Sequence, residues 1–194
     1  MQPLTVDLSE IGPLDNKQLY RLCASNRELR IERTSKGELI AMSPSGSKSG
    51  ARHAIILTAL ENWNARTKLG VVLDSSSGFL LKNGAMRAPD VAWVRNEVWR
   101  QFSDEQLEEF MPDCPDFVCK VVSPSDRLMM TQEKMDEWIA NGCRLAWLID
   151  PKHERTYIYQ PGHEPDIRES FHTILSGGDV LPGFEFDLQS LKNI

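Results

Sequence analysis

The sequence has no apolar run of about 18 residues, so no transmembrane helix is expected. It has little cysteine. The four residues Cys23, Cys114, Cys119 and Cys143 include no C-x-x-C pair, so neither a disulfide framework nor a zinc ribbon is expected. Three of them sit in apolar surroundings, where a free thiol acts as a small hydrophobe, and the reading is a reduced, cytoplasmic protein. Positive charge is not in excess: 22 Lys and Arg stand against 28 Asp and Glu, a formal net charge of -6. A protein that coats nucleic acid nonspecifically needs clustered cations, so this balance argues against that class. A local basic cleft remains open, as does an acidic site that meets phosphates through a metal ion. The opening residues, MQPLTVDLSEIG, show neither the basic n-region nor the long apolar h-region of a signal peptide. No phosphate-binding glycine loop and no G-x-S-x-G elbow occurs. The S-x-x-K at 45–48 has no K-T-G or S-D-N partner, and the four histidines lack metal-ligand spacing.

What is present suits one globular domain over residues 1–194, with its core at about 50–150. The 194 residues are 41% hydrophobic, enough for a sizeable interior. LDNKQLYRLCASN predicts a short helix. ELRIERT and GELIAMS predict a hairpin around Lys36-Gly37. A glycine/serine loop, PSGSKSG, leads into a helix from about Ala51 to Thr67, with Ile55, Ile56, Ala59, Leu60 and Trp63 as its apolar stripe. Strands follow near 71–74, 78–81 and 88–94. A polar stretch to about 115 reads as a surface insertion. DFVCKVVS (116–123) predicts an inner strand. Ser125 or Asp126 is expected to cap the next helix, which ends at Gly142. RLAWLID predicts a second inner strand, RTYIYQP an edge hairpin strand, and the weakly alternating tail a further edge strand. The order is that of a mixed α/β (α+β) domain, not of repeated βαβ units.

Two stretches carry chemistry. In RAPDVAWV, the carboxylate of Asp90 opens an apolar strand. It reads either as a turn residue or as a ligand for a hard cation, since Mg²⁺ takes one or two protein carboxylates. In DFVCKVV, Lys120 stands inside a strand whose neighbours are all apolar, where a charge requires a partner. Sequential strands usually lie side by side, so Asp90 is the expected partner. His53, behind the glycine/serine loop, reads as a helix-surface residue with a phosphate contact as the alternative. Trp63, Trp93, Trp138 and Trp147 read as packing rather than as a base-stacking platform.

GELIAMSPSG, DSSSGFLLKNGAMRAPDVAWV, PDFVCKVVSPSDR, QEKMDEWIANGCRLAWLIDP and YIYQPG occur in that order. Together they resemble the bacterial restriction endonuclease family, abundant in cyanobacteria, of the PD-(D/E)XK nuclease superfamily. The resemblance covers nearly the whole chain. It implies a restriction-endonuclease-like core with a central mixed sheet flanked by helices and β-hairpin additions at both ends. It also implies a Mg²⁺-dependent DNA endonuclease, with DNA as partner and, because such enzymes pair their sites to cut both strands, a homodimer. Under the resemblance Asp90 matches the first metal carboxylate, Lys134 the catalytic lysine and Glu38 an acidic position near the site. The family's second acid falls on Lys120. The superfamily's usual lysine position, two residues further on, is Val122.

That replacement reverses the electrostatics. At ~4 Å and an effective dielectric near 20, each unit charge changes an interaction by about 4 kcal/mol, and a divalent ion feels this twice over. The expectation is an ammonium group standing beside Asp90, with Glu38 as a further acidic neighbour, in place of the ion. A second acid displaced to Asp126, Glu133 or Asp136 would restore metal binding. The alternative function is a catalytically silent nucleic-acid-binding or dimerisation module that keeps the fold.

Overall fold

A computed structural model describes residues 4–8, 10, 12–42, 46–192 and 194. Its centre is a six-stranded mixed sheet, in the order β11-β10-β9-β8-β7-β4. The strands are β4 (Gly70–Asp74), β7 (Val91–Arg95), β8 (Phe117–Val121), β9 (Leu145–Asp150), β10 (Arg155–Tyr159) and β11 (Asp166–Arg168). Among its strands only β8 and β9 run parallel to each other within the described residues, and the helix α5 (Leu128–Ala140) makes the crossover between them. A second, antiparallel sheet has the order β1-β3-β2-β6-β5. It joins β1 (Leu4–Val6), β2 (Arg30–Arg33), β3 (Leu39–Met42), β5 (Phe79–Leu80) and β6 (Met86–Arg87).

Alternation along the inner strands fills two cores. Phe117, Cys119, Val121, Trp147 and Ile149 point to one face, against Ile56, Leu60 and Trp63 of the helix α2 (Ser47–Thr67). Val118, Ala146 and Leu148 point to the other, against Met135 and Trp138 of α5. Both faces of β8 and β9 are therefore covered, as their unbroken apolar runs predict. The helix α1 (Asn16–Ser25) buries Leu19 against Leu39 and Met86, on the side of the second sheet away from α5. Gly37, at φ 88, makes the turn between β2 and β3. The four tryptophans expected to pack are all buried.

Several expectations need correction. The segment after β7 is no surface insertion: besides the short helices α3 (Asn96–Trp99) and α4 (Asp104–Leu107), it buries Val98, Met111 and Cys114. The Met111 backbone N–H donates to Gly78 O (2.9 Å) and its carbonyl accepts from Leu80 N (2.9 Å), extending the second sheet. β10 is not an edge strand, because β11 pairs with it. The tail adds no edge to the central sheet. It forms a separate ribbon, β12 (Ile174–Ser176) and β13 (Glu185–Asp187), with a closing 3-10 turn over Leu188–Leu191. A single helix cannot roof six strands, and Phe171, Leu175, Phe184 and Leu188 complete the cover on the α2 face. Phe184 stacks on Trp147 with centroids 5.9 Å apart. Neither Ser125 nor Asp126 caps α5: the N-cap is Arg127, and Asp126 Oδ2 accepts from Ser123 N (2.8 Å), closing the preceding turn. Helix α2 begins four residues early, at Ser47, and part of the expected loop and of the S-x-x-K match, residues 44 and 45, lies outside the described residues. Among the described residues no helix is long and apolar enough to cross a membrane.

Candidate functional site

The β7–β8 ladder positions the first two site residues. Val91 pairs with Cys119 and Ala92 with Val118, so one step further along Asp90 faces Lys120. The ladder reaches that step, because Asp90 N donates to Cys119 O at 3.1 Å. A cross-strand pair of opposite charge follows, with Lys120 Nζ donating to Asp90 Oδ1 at 3.1 Å. The other oxygen, Oδ2, accepts from Val121 N at 2.8 Å and stands 3.0 Å from His53 Nε2. Arg30 Nη1 lies 3.8 Å from Oδ1. The Asp90 side chain has no exposure, whereas Lys120 keeps 26%. Burial opposes ionisation of Asp90, but the Lys120 charge, the His53 contact and the Val121 N–H outweigh it. Together they hold the carboxyl well below the usual carboxylate range.

A second node stands in the same cleft. Arg33 pairs with Met86, so one step back Glu32 faces Arg87, whose Nη1 donates to Glu32 Oε2 at 3.0 Å. Lys134 reaches the same oxygen from α5 at 2.7 Å. Arg87 Nε also donates to Glu137 Oε2, at 2.6 Å. Burial again opposes ionisation, and the charges of Lys134 and Arg87 bring the Glu32 pKa down to about 2.

The structure thus brings Lys120 and Lys134 to the walls of one cleft of about 240 Å³ between the second sheet and α5, with Asp90 buried beside Lys120. Glu38 does not join them. It sits beside the β2–β3 turn, and its carboxylate accepts from the Thr34 hydroxyl at 3.1 Å. Ile40 and Met42, the next residues on that face of β3, line the cleft instead. The acid the hairpin supplies is Glu32, two strand positions from Arg30 on one face; the alternation in RIER carried that signal beneath the apolar Leu29 and Ile31. His53 is a second correction. It is not a helix-surface residue, since α2 turns the ring, 13% exposed, towards Asp90. Glu133 and Asp136 are exposed on α5, and Asp126 serves the turn, so none supplies a displaced second acid.

Does this donor set fit a divalent ion? Asp90 offers one carboxylate, already met by an ammonium, a backbone N–H and an imidazole. Among the described residues no three His, Cys, Asp or Glu side chains converge. A hard cation needs several anionic oxygens, and the position facing Asp90 is filled by positive charge. The residues do not fit Mg²⁺. The cleft suits an anion better: its walls carry Arg30, Arg87, Lys120, Arg127 and Lys134 against the carboxylates of Glu32 and Asp126, in a chain of net charge -6.

A family model described as "Putative restriction endonuclease" (Uma2) matches residues 17–189. Among solved structures, the chain is similar to a protein from Anabaena variabilis titled a putative nuclease. The two share 14% identity with a TM-score of 0.76, over 93% of this chain and 98% of that one, a likeness of fold. No curated protein matches.

Proposed function

The chain belongs to the Uma2 restriction endonuclease family, and from that premise we propose that it is a nuclease-fold DNA-binding protein whose hydrolytic site is silenced by Lys120. In this reading the lineage cleaves phosphodiesters with Mg²⁺ held between Asp90 and an acid at position 120. Here the Lys120 ammonium takes the place of the ion. The observation that carries the reading is the 3.1 Å contact between Lys120 Nζ and Asp90 Oδ1, opposite one another across β7 and β8.

The electrostatics support it. A divalent ion approaching Asp90 would meet the Lys120 ammonium at 3.1 Å and the Arg30 guanidinium at 3.8 Å from the oxygen it would bind. Repulsion of about 4 kcal/mol per unit charge outweighs what one aspartate offers. A phosphate meets the reverse: Lys120 and Arg30 each retain some exposure to the cleft, and guanidinium and ammonium groups bind phosphate oxygens through charge-assisted hydrogen bonds. What remains of the ancestral chemistry is positioning of the backbone without activation of water.

The test pairs two assays on the purified protein. A gel shift at low salt in EDTA should retard DNA, and a plasmid nicking assay with Mg²⁺ or Mn²⁺ should show no cleavage. Metal-dependent nicking that disappears in Asp90→Asn overturns the silencing. Absence of a shift at 50 mM salt overturns DNA binding.

A further inference from the structure

A second cleft, of about 400 Å³, opens beside the loop between β8 and α5. Asp126 of that loop lines both clefts, while Ser125 lines the first and Ser123 the second. The two serine hydroxyls lie 3.0 Å apart at the crest. The loop is thus a low ridge at the carboxyl ends of the parallel pair β8 and β9, with the Lys120 cleft on one flank and Arg52, Lys152 and His153 on the other.

The far flank is organised from beneath. Asp150, at the end of β9, is 2% exposed and accepts from Lys152 N at 3.0 Å. Its second oxygen lies 2.6 Å from His153 Nδ1. That contact fixes the ring and leaves Nε2 pointing away from the carboxylate, on a side chain 55% exposed. Arg52 is tethered through Nε to the Leu191 carbonyl at 3.4 Å, which leaves its terminal nitrogens available. Among the described residues no carboxylate forms an ion pair with Arg52 or Lys152, and the two acids of this cleft, Asp126 and Asp150, are already engaged by backbone N–H groups and an imidazole. Arg52 is also the chain neighbour of His53, whose ring stands at Asp90, so one turn of α2 links the two flanks.

We infer that Arg52, Lys152 and His153 form a second phosphate subsite, and that a DNA strand crosses the β8–α5 ridge from the Lys120 cleft to reach it. The inference rests on the DNA-binding reading above and names the path that the backbone takes. Phosphates of one strand succeed one another at regular spacing, so two clefts that each expose arginine and lysine side chains, on either side of a serine-crested ridge, suit consecutive segments of a single backbone. The ridge serines offer hydroxyls to the phosphate between them.

The experiment measures affinity of the full chain for a fluorescent duplex of arbitrary sequence, in EDTA, from 50 to 300 mM NaCl. The variants are Arg52→Ala/Lys152→Ala, and Arg66→Ala/Arg100→Ala as a pair of equal charge change at the opposite end of α2 and of the sheet. The cleft pair should bind about tenfold more weakly at the lowest salt, with the log–log salt slope shallower by about 1.8, two phosphate contacts' worth. The control pair should keep the parental slope, and His153→Ala should lose a smaller part of the affinity. Equal losses in both pairs, or an unchanged slope in the cleft pair, overturn the subsite while leaving the first cleft's DNA binding standing. Failure of the parental protein to bind the duplex counts against the DNA-binding reading itself. Inorganic phosphate at matched ionic strength should compete no better than chloride. Competition below 1 mM overturns the strand path in favour of a small phosphate ligand. Thermal melts of all variants should match the parent; if the cleft pair is destabilised, Arg52→Lys/Lys152→Arg, which keeps charge, must restore the parental slope.

Discussion

Asp90 and Glu32 are two buried carboxylates built the same way, and what separates them is their surplus charge. Each lies one step beyond a ladder pair, opposite a cation across antiparallel strands. Each is held ionised by its neighbours against the cost of burial. At Glu32 the charges balance: Arg87 and Lys134 are met by Glu32 and Glu137, and the four come from β2, β6 and α5. That node ties the second sheet to α5, and Arg87 is only 9% exposed. At Asp90 one carboxylate faces Lys120 and Arg30, with His53 alongside, so positive charge is left over and turned to the cleft. The balanced node reads as architecture and the unbalanced one as an anion site. Similar neighbours therefore do not imply a similar role; the net charge and its exposure separate the two.

The sharpest way to break this contrast is Lys120→Glu. It puts two carboxylates face to face, and in EDTA the variant should be about 4 kcal/mol less stable than the parent by urea denaturation. Mn²⁺ should then raise its melting temperature by several degrees and leave the parent unmoved. An equal response of both proteins to Mn²⁺ would show that Lys120 does not displace a metal.

A smaller effect is expected in acid. Both carboxyls have folded pKa values below their unfolded ones, so their stabilisation is present above about pH 4 and is lost as pH falls through the folded values. For Glu32, with its pKa near 2, the loss between about pH 5 and pH 2 is about 3 kcal/mol. Lys120→Ala should flatten the Asp90 part of this curve and Lys134→Ala the Glu32 part. If urea midpoints between pH 5 and pH 2 fall as steeply in both variants as in the parent, the two nodes are not held by these cations.

The smallest effect belongs to Glu38→Ala. Its partner is a threonine hydroxyl at a half-buried turn, so stability should change by no more than about 0.5 kcal/mol and DNA affinity not at all. A tenfold loss of DNA binding would return Glu38 to the site.

Asp90 and Lys120 could be paired from the sequence because adjacent strands make adjacent ladders, and an ammonium inside an apolar run must find a carboxylate. Glu32 could not be chosen over Glu38 on the same terms: the two acids share one face of the hairpin, and which end of that face borders the cleft depends on where the second sheet docks. His53 looked like a surface residue because α2 shows only its apolar stripe in sequence, and the contact with Asp90 arises only when the helix packs on the sheet. The tail's alternation announced strands correctly but not their partner, since a weak period-2 pattern fits any sheet edge equally well.

By itself the sequence determined the main helices and inner strands, the two-faced burial of β8 and β9, and the facing pair at positions 90 and 120, because periodicity and strand adjacency act over short range. Only the tertiary structure decided which of two glutamates enters the cleft, which node is charge-balanced, and that Arg52 and Lys152 lie across a ridge from Lys120. Those outcomes depend on how separate layers pack, and electrostatic surplus is a property of groups brought together from distant parts of the chain.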